Sequence, residues 1–64
     1  MDRRQARRQV LDDVGAIELI RDGLEALAEQ ADGDGDPIFA GELRRFTDKV
    51  TDTLEKMYVW AGNI

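Results

Sequence analysis

Asp32, Asp34 and Asp36 alternate through ADGDGDPIFAGEL, residues 31 to 43, as carboxylates do in the first half of a calcium loop. That loop needs a glycine at its sixth position, where the chain turns sharply, and a bidentate glutamate at its twelfth. Here the sixth position is Pro37, whose ring fixes a negative φ, and the twelfth is Leu43, with Glu42 one place early. Too few oxygens close around an ion, so no metal site is expected, and no cofactor. Catalytic chemistry is as thinly supplied. Cysteine, histidine and serine are absent, and the only hydroxyls are those of Thr47, Thr51, Thr53 and Tyr58. A nucleophile needs a neighbouring base, and paired carboxylates need a cleft to separate their pKa values. The expectation is a protein that is not an enzyme.

The other charged clusters suit binding rather than chemistry. RRQARR carries Arg3, Arg4, Arg7 and Arg8, spaced by three and four so that pairs share one side of a helix, a plausible contact for phosphates. Residues 1 to 9 sum to +3, residues 10 to 36 to −8, and the rest to zero. Asp12, Glu18, Asp22, Glu25 and Glu29 make the middle stretch acidic enough to imitate a nucleic-acid backbone, although acidic helix faces are usually plain solvated surface. ARRQVL has a faint twin-arginine look, but Asp12, Asp13 and Glu18 follow it where an export signal needs an uncharged apolar run. The longest apolar stretch is YVWA, residues 58 to 61, so a cytoplasmic protein without a membrane span is expected.

Two helices must position these groups. Val10, Val14, Ile17, Ile20, Leu24, Leu27 and Ala31 step by threes and fours, as do Phe39, Leu43, Phe46, Val50, Leu54, Met57 and Ala61. The spacing predicts a first helix over about 4–31, a turn at 32–36 and a second helix over about 37–61, all within one domain of residues 1–64. Gly33 is placed to close the first helix in a left-handed conformation, Asp36 to cap the second, Pro37 to start it and Gly62 to stop it. So short a turn returns the chain antiparallel. The fold class is all-α, a two-helix antiparallel hairpin.

A hairpin of 64 residues lacks disulfides and buries too little surface to be comfortable alone. Phe39, Phe46, Met57 and Trp60 exceed what one seam can hide, which points to a homodimer forming a four-helix bundle. Leu11, Gly15, Leu19 and Gly23 form a second ridge on the far side of the first helix. An antiparallel first helix from another copy would seat Leu19 over Gly15, and bring Arg4 and Arg8 near Glu29 and Glu25. Leu11, Gly15, Leu19, Gly23, Phe39, Phe46 and Met57 are therefore the expected oligomer contacts. Tyr58, Val59 and Trp60, which cannot all face one seam, are candidates for binding another protein or for closing the open end of the hairpin.

The expected function is a small protein–protein interaction module working as a homo-oligomer: a regulator, adaptor, chaperone or assembly subunit. The alternatives are a nucleic-acid-binding hairpin dimer using Arg3, Arg4, Arg7 and Arg8, and an acidic nucleic-acid mimic. In length and in its expected paired-hairpin bundle the chain resembles the repressor-of-primer family of plasmid proteins, which implies binding of paired RNA loops. No binding motif of that family has a counterpart here, and the acidic remainder of the first helix repels a phosphate backbone.

Overall fold

The computed structural model describes residues 2–63 and contains two helices, α1 (Arg3–Gly33) and α2 (Pro37–Asn63), packed as an antiparallel hairpin 49 Å long and 15 by 13 Å across. Asp2 opens α1 with a capping box: its carboxylate accepts from the Gln5 N–H at 2.8 Å, while the Gln5 side chain reaches back to the Asp2 N–H. Asp36 caps α2 by accepting from the Phe39 N–H at 3.1 Å, and Pro37 takes the first helical position.

The turn corrects one sequence expectation. Gly33 does not close α1 but is its last helical residue, and the left-handed position belongs to Gly35, at φ +79°. The Gly35 N–H donates to the Asp32 carbonyl and the Asp36 N–H to that of Ala31, the paired bonds of a Schellman motif. Each glycine could have supplied this conformation. Stopping at Gly35 leaves a single residue, Asp36, to serve both as the end of this motif and as the cap of α2. Gly35→Val forces a β-branched side chain into that region and is expected to cost about 1–2 kcal/mol, read as a lower urea midpoint. Gly62 likewise does not stop α2, which continues through it to Asn63.

The seam is narrower than the apolar stripes. Its residues are Val10, Val14, Ile17, Arg21, Leu24, Ala28 and Ala31 on α1, and Ala40, Leu43, Thr47, Val50, Leu54, Met57 and Ala61 on α2, all buried or half-buried. Both sets step by three and four without a break, the a and d positions of a heptad repeat. Counting away from the turn sets Ala31 level with Ala40, Leu24 with Thr47, Ile17 with Leu54 and Val10 with Ala61. Small residues hold the turn end, where Ala28, Ala31 and Ala40 are almost completely buried. Thr47 is tolerated in the seam because its hydroxyl donates to the Leu43 carbonyl at 2.8 Å, and Arg21 because its apolar stem lies along the seam while its guanidinium pairs with Asp22 at 3.3 Å. No described helix is long and apolar enough to cross a membrane.

Candidate interaction surface

In an antiparallel pair the heptad positions flanking the seam fall on opposite sides of the hairpin, e positions with e and g with g. On one side these are Leu11, Glu18, Glu25 and Asp32 from α1 and Arg44, Thr51 and Tyr58 from α2. This side is bridged at two points by polar contacts across the helices: the Tyr58 hydroxyl donates to the Glu18 carboxylate and the Arg44 guanidinium to that of Asp32. Asp32 and Asp36, two of the three turn aspartates, are thus engaged with protein partners. No group of three or more metal-ligating side chains converges among the described residues.

The Glu18 hydrogen bond holds the Tyr58 phenol above its ordinary pKa, with desolvation and the carboxylate's charge acting in the same direction. A folded-state value raised above the unfolded one means that this contact stabilises the hairpin below about pH 10 and is lost as the pH rises through the raised value. Tyr58 is the only tyrosine. Ultraviolet titration should therefore show a single phenolate transition above pH 10, and Glu18→Gln should move its midpoint down. The Arg44 guanidinium is likewise held above its ordinary pKa, first by its hydrogen bond to Asp32 and then by the charge of that carboxylate.

The opposite side has no such bridges. Its g positions are Asp13, Ile20 and Leu27 on α1 and Phe39, Phe46, Thr53 and Trp60 on α2. Ile20 is 57% exposed, Leu27 49%, Phe39 48% and Phe46 54%. They line two adjoining grooves across the helices, Leu27 with Phe39 beside the turn and Ile20 with Phe46 and Val50 at mid-length. Four large side chains in one band on one side are far more than the scattered exposed leucine of an ordinary surface.

Compared with family models, with curated proteins and with solved structures, the chain matches none.

The expected contact residues divide among three places. Phe39 and Phe46 lie in the open apolar band, while Met57 is half-buried in the seam. Leu11, Gly15, Leu19 and Gly23 wind around the outside of α1, with Leu19 74% exposed, and an added Cβ at Gly15 or Gly23 would meet nothing within 4 Å. At the open end Tyr58 turns to the polar side and Trp60 to the apolar side. Val59 points outward between them, so they do not form one patch. Trp60 and Val59 border a shallow hollow on α2 with Asp52, Glu55 and Lys56. Arg3, Arg4, Arg7 and Arg8 are exposed in the first two turns of α1, beyond the last seam level, and take part in none of the ion pairs found among the described residues.

Ile20 and Leu27 were not among the expected contacts, since their spacing also fits the seam. The discriminating signal lay in smaller residues: Ala28 and Ala40 complete an unbroken heptad that excludes Leu27 and Phe39.

Proposed function

We propose that the protein is a non-enzymatic helical interaction module that works as a homo-oligomer, its hairpin pairing into a four-helix bundle that binds another protein. The observation that carries this reading is the contrast between the two sides of the hairpin. One is tied across by Glu18–Tyr58 and Asp32–Arg44, while the other leaves Ile20, Leu27, Phe39 and Phe46 in water. At about 25 cal/mol per Å², covering such a band offsets the small core of a two-helix chain. Val59 and Trp60, outside the seam and next to Lys56 and Glu55, have the aromatic and charged mixture favoured at protein interfaces.

Sedimentation equilibrium across a hundredfold range of concentration tests the oligomer. A mass of one chain throughout would sink this reading. Co-purification from the native host with and without nuclease then separates a protein partner from a nucleic acid. The four arginines, which join no ion pair among the described residues, favour nucleic acid as the second reading, against the acidic run that follows them. It requires binding of paired RNA that weakens steeply between 50 and 200 mM salt.

A further inference from the structure

The band of Ile20, Leu27, Phe39 and Phe46 continues onto the adjoining c positions of α1, which are Ala16, Gly23 and Gln30, none of them charged. Apart from Asp13 and Asp34 at its two ends, this side of α1 is free of acids, because Asp12, Glu18, Asp22, Glu25, Glu29 and Asp32 occupy the b, e and f positions. Apolar residues at a and d serve a two-helix seam. Apolar residues at g as well, here Ile20 and Leu27 on α1 and Phe39, Phe46 and Trp60 on α2, are the pattern of a helix facing the centre of a larger bundle. The chain that supplies two more helices of this pattern is the chain itself. A face 49 Å by 15 Å amounts to roughly 700 Å² per copy, close to the roughly 800 Å² each partner buries in a stable complex. Gly23 has open space where a Cβ would stand, so the hairpin does not need it, and its bareness allows another backbone to approach.

Resting on the homo-oligomer reading above, we infer that a second copy of the chain packs on this face with its turn at the opposite end. The two-fold axis then runs at right angles to the hairpin, between the levels of Ile20 and Leu27. Two features choose this orientation over one with both turns together.

The first is the edge of α2, whose c positions are Glu42, Lys49 and Lys56: opposed turns set α2 beside α2 of the other copy, with Glu42 level with Lys56 on either side of Lys49, which faces its own counterpart. The second is the long-range field, which sets the +3 of residues 1 to 9 over the other copy's acidic turn. Trp60 reaches the level of Phe39 across the interface, two aromatic rings that each hairpin alone leaves exposed.

The test combines mass with a distance. Phe46→Glu should reduce a dimer to a monomer with helical circular dichroism retained, since Phe46 lies outside the seam, while Leu19→Glu on the outer ridge should leave the mass unchanged. The chain has no cysteine, so a spin label on D34C is unique. In the dimer the two labels should stand about 35 Å apart, since each lies about 11 residues from the axis at 1.5 Å per residue, against about 20 Å or less with turns together. A dimer that survives Phe46→Glu, a dimer lost through Leu19→Glu, or a short label distance overturns the inference while leaving the oligomer standing. A wild-type chain that never dimerises overturns both. Should Phe46→Glu unfold the chain, the label distance, measured with the face intact, decides alone.

Discussion

Leu54→Ala should remove about 3 kcal/mol of stability and leave a hairpin only marginally folded at 25 °C. Leu54 is 2% exposed and the largest side chain so completely buried, level with Ile17 in the wider part of the seam. The loss combines the transfer energy of the missing methyl groups with the cavity they leave, which two helices can only partly close. A chain of this length has a total stability of roughly 3–10 kcal/mol, so the substitution consumes a large share of it. Urea denaturation followed at 222 nm, at one fixed protein concentration because association adds to apparent stability, should show a lower midpoint with a similar slope. A change under about 0.5 kcal/mol would mean that the seam is not packed around Leu54.

Ala40→Leu is the second large effect, and its sign runs against hydrophobicity. Ala40 is 0% exposed at the first seam level beyond the turn, opposite Ala31 and close to Ala28. Three added carbons have no space there and must push the helices apart beside a turn whose hydrogen bonds fix their separation. The expected cost is about 1–3 kcal/mol. Ile38, two residues earlier and 77% exposed, provides the comparison: Ile38→Ala should stay within about 0.5 kcal/mol in the same measurement. If Ala40→Leu stabilised the chain, the close approach at the turn end would be wrong.

Two helices, their antiparallel return and the Asp36–Pro37 start of α2 were legible in the residues, because apolar periodicity and turn chemistry act locally. Which apolar residues meet was less legible. Ile20 and Leu27 fit a period of three and four as well as Ala28 does, and hydrophobicity alone favours the larger side chains. In a two-helix seam close approach favours the smaller ones: Ala28, Ala31, Ala40 and Thr47 fill it, and Phe39 and Phe46 are displaced to the flank. Half of the open band was hidden by the same ambiguity: Phe39 and Phe46 were among the expected contacts, while Ile20 and Leu27 looked like core. The turn misled for a related reason. Two glycines two residues apart offer the same backbone freedom, and only the carbonyls of Ala31 and Asp32 decide between them. The Asp2–Gln5 capping box went unread, although an acceptor followed three residues later by glutamine is its signature.

The gradient of side-chain size along the seam also bears on how the chain folds. Closing the turn is fast and local, and each further level lengthens the closed loop by about fourteen residues, seven from each helix, a small entropic step. The levels formed first are those of Ala31, Ala40 and Ala28, which bury the least apolar area. The first large gain comes when Ile17 reaches Leu54. A nucleus confined to the turn is therefore poorly rewarded, and the rate-limiting structure must extend to the middle of the hairpin. Substitutions at Leu54 should slow folding, while those at Ala61 should mainly speed unfolding.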